Sequence, residues 1–526
     1  MHTRSALAVV LMSGCAVSAL ADPPPGFYDL VTGTTGPAIK SQLTTLTNQA
    51  ITRSYGEART LLQDIDEDPA NPSNIILTYT GVSIDSTWTS GNTWNREHTW
   101  PRSLGVGSSG SDNSDLHMLR PCNPGVNSER GNKRFGTAAG EWDPDWYGQE
   151  FRGEMARVVF YANTRYTYLS IPTIGSQSQF IDWHFEQMPD DDDRRRNDRA
   201  FDAQQNRNPF VDRPEWVWAI FGEGPSDAQL AIAGAGVTGG ASAASIDLGA
   251  LIADGAPITT GIALDKTGAA PTTYLVSADG GVSSAAATGH QAGFARGPGS
   301  VDLPITLDAT PGPVEGTITI DNTDLTSAGA GFGSADGDDV VLVTAFVFEP
   351  SVASLDSAEP LASTAIDLGQ IAIGESSGPV SIAVWNLAPG VTGAALDVDS
   401  VQITGLADGV SIVGAPVVGV LPGDAATLTL DVSPTAAGVI NATAIVAVSD
   451  EDLPGETAST LTLSILAEAV DPCPADVNSD GVADESDFFA WVSAFGSGAP
   501  ECDVNGDGAC EPGDFFAWVS AFNEGC

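Results

Sequence analysis

Between Thr93 and Gly105 the chain reads TWNREHTWPRSLG, with Glu97 directly beside His98, Arg96 and Arg102 flanking them, and two tryptophans close by. These residue types can do phosphate chemistry. An imidazole changes charge near neutral pH and can take a proton from water. A carboxylate oxygen suits a hard divalent cation. Hydrolysing a phosphodiester needs an activated water, charge stabilisation at the phosphate and help for the leaving oxygen, and one Mg²⁺-type ion with a nearby base supplies all three. Neighbouring residues on a strand point to opposite faces. Glu97 and His98 can therefore serve a metal and a water separately, provided the backbone bends around the site.

Further polar motifs follow in order: SDLHMLRPCNPGVNSERGNKRFG (Ser114–Gly136), RGEMARVVFYANTRY (Arg152–Tyr166) and RRRNDRAFDAQQNRNPFVDRPEWV (Arg194–Val217). The chain has five histidines. His98 is the best base candidate, His117 a brace that acts through hydrogen bonds, and His184 a structural residue in its aromatic setting. Asp115 is a supporting carboxylate. Arg96, Arg102, Arg120, Arg130, Lys133 and Arg134 are expected to form a basic track for the phosphate backbone. Arg194 to Arg196 stand beside Asp190 to Asp193 and are expected to pair with them. Cys122 reads as a buried thiol.

A second chemistry lies at the C-terminus. DVNSDGVADESDFFAWVSAF from Asp476 returns as DVNGDGACEPGDFFAWVSAF from Asp503, a period of 27. Asp476, Asn478, Asp480, Val482 (by its carbonyl), Asp484 and Asp487 fall at positions 1, 3, 5, 7, 9 and 12 of a calcium loop. Asp503, Asn505, Asp507, Ala509, Glu511 and Asp514 repeat them. Gly481 and Gly508 occupy position 6, where such a loop turns sharply. Alternating oxygen ligands call for Ca²⁺.

The elements that must hold these residues differ along the chain. Helical periodicity marks GPAIKSQLTTLTNQAI and GEMARVVFYANTRYTYL, and NIILTYT is a strand candidate. From about residue 221 the texture becomes Ala, Gly, Val, Thr and Asp. Strand runs such as VEGTITID, VVLVTAFVF, VSIAVWNL, ATLTLDV and STLTLSIL alternate with turn residues, which predicts β-sandwiches. SIDLGALI near Ile246 recurs as AIDLGQIA near Ile366, so two similar Ig-like sandwiches are expected, split near residue 358. Each calcium loop leads into DFFAWVSAF, whose spacing fits a helix with one buried face.

The fold class expected is therefore multidomain. It comprises a signal peptide over 1–21, an α+β catalytic domain over 22–220, β-sandwich spacers over 221–357 and 358–470, and a small all-α calcium module over 471–526. MHTRSALAVVLMSGCAVSALA reads as a secretory signal, too short to span a bilayer; a lipobox-like MSGC at Cys15 is the alternative. Secretion, with extracellular, cell-surface or periplasmic residence, permits disulfides. Two are expected among Cys473, Cys502, Cys510 and Cys526, with Cys473–Cys526 and Cys502–Cys510 one connectivity. Residues 22–220 carry 18 Lys and Arg against 27 Asp and Glu, a net of −9; residues 221–526 carry two against 41, a net of −39. So acidic a half excludes electrostatic nucleic-acid binding there and favours solubility and cations.

From FYDLVTGTTGPAIKSQL through WNREHTWPRSLG to NRNPFVDRPEWV, nearly all of 26–218 resembles the bacterial endonuclease I family of secreted and periplasmic nucleases. The resemblance implies a ββα-metal, or His-Me finger, site. His98 would be the general base, Glu97 and Asn127 the ligands of one Mg²⁺, REHTWP and DLHML the two strands, and GVNSERGN the helix. It also implies cleavage of DNA, and often RNA, with little sequence preference and 5′-phosphate products. Gln205 stands where the family's QGNRNPF has Gly. The last 55 or so residues resemble a dockerin, which implies a cohesin-like partner. No membrane span and a monomer are expected. The competing classes are a surface scaffold or adhesin with a decayed nuclease fold, and a nuclease restricted to RNA or single strands.

Overall fold

The computed structural model of the chain describes residues 23–253, 256–322, 336–470 and 473–524. The expected signal segment, Cys15 and Cys526 lie outside the described residues. The chain gathers into two compact units. One is built from residues up to 246, 259–307 and 315–343; the other from 247–258, 308–314 and 344–526. No helix among the described residues is long and apolar enough to cross a membrane.

The first unit begins with an α+β region. Its elements are α1 (Gly36–Thr47), α2 (Tyr55–Ile65), β1 (Glu67–Asp68), β2 (Asn71–Ile76), β3 (Ser83–Asp85), β4 (Asn95–His98), β5 (Leu119–Cys122) and α3 (Pro124–Arg130). There follow α4 (Arg152–Arg165), α5 (Ile171–Ile174), α6 (Gln177–Glu186), α7 (Asp191–Gln204), α8 (Pro209–Asp212) and α9 (Trp216–Phe221). Strands β1, β2 and β3 form one antiparallel sheet, and β4 and β5 a separate hairpin-like pair. NIILTYT is a strand only to Ile76; Tyr79 then takes a left-handed φ of 67° that breaks the extended run.

The core of this region forms around α4, which is buried from Met155 to Ala162 on every side. Its Phe160 meets the rings of buried Phe180, Phe210 and Phe221. Two of its arginines are buried because acids meet them there: Arg157 pairs with Asp193 and Arg165 with Asp115. The acidic run before α7 has a local cause. Asp190 caps the helix, its side chain accepting from the amide of Asp193, and Asp191 to Asp193 fill the first turn, where the helix dipole favours negative charge. Arg194 and Arg195 pair with Asp191 and Asp192, but Arg196 reaches Asp66 instead. Gln205 closes α7 with φ of 61°, the left-handed conformation that glycine adopts without cost, which accounts for the glycine of the family pattern.

The rest of the first unit carries most of a six-stranded and a four-stranded sheet. Gly312–Asn322 and Asp339–Phe348 alternate buried and outward residues along their length, as strands with one covered face do. In the second unit a four-stranded and a five-stranded sheet share one core, with Ile382, Leu428 and Leu430 from one and Leu396, Val446 and Leu463 from the other. The short strand Ala353–Ser354 pairs with Asn386 and Trp385. At the C-terminus α10 (Glu485–Ser497) and α11 (Pro512–Glu524) each follow an acidic loop.

Candidate active site

Strand β4 is held in register against β5, with Glu97 opposite Arg120 and His98 opposite Leu119. The two tryptophans of the motif pin its ends. Trp94 and Trp100 are buried, and their indole N–H groups donate to the carbonyls of Ser86 and Leu104. The helix of the motif starts where its sequence says it should. Asn123 accepts from the amides of Gly125 and Val126, Pro124 takes the first turn, and Gly131 ends the helix with φ of 55°. The second strand departs from expectation. Only Leu119 of DLHML is extended, because the Asp115 carboxylate accepts from the His117 amide and its carbonyl accepts from the amides of Met118 and Leu119, which folds the segment into a turn.

The alternation of β4 sorts its side chains onto two faces. Asn95 and Glu97 face α3. Asn127 Nδ2 donates to Asn95 Oδ1 at 2.8 Å, and Glu97 Oε1 accepts from the Tyr79 hydroxyl at 3.0 Å and lies 3.2 Å from Nε of Arg130. Among the described residues no hydrogen bond reaches the other oxygen of Glu97 or Oδ1 of Asn127. One carboxylate and one amide oxygen are thus left to a hard cation, a donor set that fits Mg²⁺. Burial raises the Glu97 carboxyl above its ordinary value, and Arg130 and Tyr79 oppose this only in part.

His98 lies on the other face with Arg96. Its Nε2 is 3.1 Å from the carbonyl of Asn113. A carbonyl only accepts, so Nε2 carries the hydrogen and the neutral ring keeps its lone pair on Nδ1. The ring stacks on Tyr55, 5.5 Å between centroids at 25°. Burial, with Arg102 next, lowers the imidazole to about 4, so it is uncharged at neutral pH.

The basic track is shorter than the sequence suggests. Arg120 is buried and bonded to Glu154 and to the His117 carbonyl, and Arg130 is fully buried against Glu97 and the Thr99 carbonyl. Both are engaged inside the protein and brace the site from within. Arg96 and Lys133 are half-buried, and Arg102 and Arg134 exposed. Asp115 is a buried hub that accepts from Arg165, Tyr161, Tyr166 and Gln204. His117 is buried too, bonded to the Asn206 carbonyl, its pKa pushed down by burial to about 3. His184 is buried against the Pro214 carbonyl, and burial pushes the Cys122 thiol up.

Four residues at the site escaped the sequence reading. Asn95 was legible in principle, two positions before Glu97 on the same strand face. Tyr55, Tyr79 and Asn113 carry no local signal, since they reach the motif from 43, 18 and 15 residues away. A cavity of about 630 Å³ is lined by Arg120, Glu154, Arg157, Asp193 and Arg196 among others. His98, Glu97 and Asn127 are not among its lining residues.

The C-terminal loops fold alike. Asp476 gathers the amides of Asp480 and Gly481, and Asp487 those of Asn478 and Asp484. Asp503 and Asp514 repeat both patterns. Oxygens of Asp476, Asp480 and Asp487 lie within 4.8 Å of one another. Gly481 and Gly508 both take φ of 87°. The Asp484 side chain caps α10. Cys502 is bonded to Cys510, and Cys473 is also in a disulfide, its expected partner Cys526 lying outside the described residues.

The family model described as Endonuclease I matches residues 35–146 and 147–215. The chain is 35% identical over 227 residues to the extracellular ribonuclease of Bacillus subtilis (strain 168), covering 37% of this chain and 78% of that protein. It is 34% identical over the same length, with the same shares, to the extracellular ribonuclease of Bacillus amyloliquefaciens. Among solved structures, a protein of unknown function from Porphyromonas gingivalis W83 is 17% identical, covers 47% of this chain and 100% of its own, and has a TM-score of 0.17.

Proposed function

The chain belongs to the endonuclease I family and is a nuclease; from that premise we propose a secreted, divalent-metal-dependent endonuclease that cuts DNA and RNA with little regard to sequence, leaving 5′-phosphates. The observation that carries this reading is the bond from His98 Nε2 to the Asn113 carbonyl, which leaves Nδ1 as the free base. His98 takes the proton of the attacking water. Glu97 and Asn127 hold Mg²⁺ through the oxygens their hydrogen bonds leave open, and Arg130 and Tyr79 keep the Glu97 carboxylate aimed. When bound, the ion would offset negative charge on the phosphoryl and leaving oxygens. Because β4 ends at His98, a phosphate reaching both faces of the strand lies over that end. The printed name of the Bacillus relatives supports RNA as a substrate and export of the protein.

We further propose that the C-terminal loops bind two Ca²⁺ ions and that this dockerin-like module attaches the enzyme to a cohesin-like partner. The two sheet-rich regions between act as spacers.

The test is digestion of plasmid, single-stranded DNA and RNA by the full chain after chelation. Calcium is returned to one sample, calcium with magnesium to another. Cleavage only with magnesium, lost in His98→Ala, is the expected outcome. Intact substrates throughout would favour the scaffold reading, and cleavage of RNA alone the restricted nuclease.

A further inference from the structure

Most arginines of this acidic chain are neutralised by a carboxylate, as in Arg120–Glu154, Arg165–Asp115 and Arg207–Asp212. Beside His98 this pattern fails. Among the described residues no carboxylate lies within ion-pair distance of Arg59, Arg96 or Arg102. What they share is Tyr55. The Arg96 guanidinium carbon sits 3.6 Å from the centre of the Tyr55 ring, and the same side chain donates to the Tyr55 carbonyl. The Arg102 guanidinium is 4.7 Å from that ring, and its Nε donates to Asn113 Oδ1 at 2.8 Å. The His98 imidazole stacks on the same ring. Arg59 follows Tyr55 by four residues in α2, so both lie on one helix face. It is exposed and close enough to Arg96 for their charges to repel.

Cations crowded together without counter-charges are held at a cost, and an anion brought among them relieves it. A guanidinium stacked on an aromatic ring loses little further freedom when it forks onto a phosphate. Building on the nuclease reading, we propose that Tyr55 is a positioning residue whose ring arrays Arg96 and Arg102, with Arg59 at the rim, to bind a backbone phosphate of the substrate strand beside the bond cut by the water that His98 activates. The ligand is the sugar–phosphate backbone of a nucleic acid. The array reads no base, which agrees with cutting that ignores sequence.

The experiment is steady-state cleavage of a fluorogenic oligonucleotide by the full chain with calcium and magnesium, over a range of salt. Tyr55→Ala is expected to raise KM about tenfold, to change kcat less than threefold, and to flatten the slope of log kcat/KM against log salt by about one. Tyr55→Phe, which keeps the ring, is expected to restore KM to within about twofold. Arg59→Gln, an exposed change, is expected to flatten the slope by about one at unchanged melting temperature. Unchanged KM and slope in Tyr55→Ala, or Tyr55→Phe as defective as Tyr55→Ala, would overturn the array. Anisotropy of a labelled strand in a His98→Ala background separates the two readings. Binding that depends on Tyr55 without any cleavage by the parent protein sinks the catalytic assignment alone; cleavage with binding indifferent to Tyr55 sinks the array alone.

Discussion

Arg130 meets Glu97 inside the protein, its Nε 3.2 Å from Oε1, with side-chain exposures of 1% and 3%. A carboxylate this deep is tolerable only with a partner. The same pair that opposes the effect of burial on Glu97 therefore also ties α3 to β4. Arg130→Ala leaves the acid uncompensated and is expected to cost about 3–5 kcal/mol, read as a lower melting temperature. Arg130→Lys should recover part of it. A melting temperature unchanged in Arg130→Ala would show that the pair is not what holds the helix.

His98→Ala is expected to lower kcat by about 10²–10⁴-fold while circular dichroism and melting stay near those of the parent. Asn113 acts on His98 through its backbone carbonyl, so Asn113→Ala should leave far more activity than His98→Ala. Cleavage rates on plasmid and RNA check both.

Asp115 gives the protein an acid-sensitive point. Burial raises its carboxyl, but Arg165 and the hydrogen bonds from Gln204 and the His117 amide more than reverse this, so the net shift is below the ordinary 3.8. A lowered acid in the folded state contributes stability that is present above 3.8 and is lost as pH falls through the folded value. Asp115→Asn is therefore expected to melt lower than the parent at neutral pH, by about 3–5 kcal/mol for the stranded Arg165. The gap should narrow as pH drops below 3.8, in melts followed across pH 2 to 7.

Gln205→Gly is expected to stabilise the protein by about 0.5–1 kcal/mol, because φ of 61° costs a residue with a Cβ and glycine nothing. The side chain's exposed bonds to the carbonyls of Phe201 and Asp202 offset little of this. A drop in melting temperature would show that they matter more than the backbone.

Calorimetric titration of the chelated protein with calcium is expected to show two sites. Asp476→Ala and Asp503→Ala should each remove one. At a hundred times its dissociation constant, each ion adds about 2.7 kcal/mol to the loops' resistance to unfolding. No heat on titration would refute calcium binding.

What the sequence determined by itself was local. The two acidic C-terminal loops were legible because each falls within twelve consecutive residues, and the turn at Gly481 needs nothing distant. The helix from Pro124 to Arg130 was legible from its Asn-Pro start and its glycine end. The placement of Glu97 and His98 on opposite faces follows from strand alternation alone. DLHML misled because the Asp115 side chain competes for the backbone, and no pattern of apolar residues reports that.

Which arginines are cancelled by an acid was decided only in three dimensions. Arg120 and Arg96 look alike in sequence. One finds Glu154 across 34 residues and is buried; the other finds the ring of Tyr55 and no acid. Whether a charge is cancelled or left to act depends on what the fold brings within a few ångströms of it, and chain spacing carries no record of that.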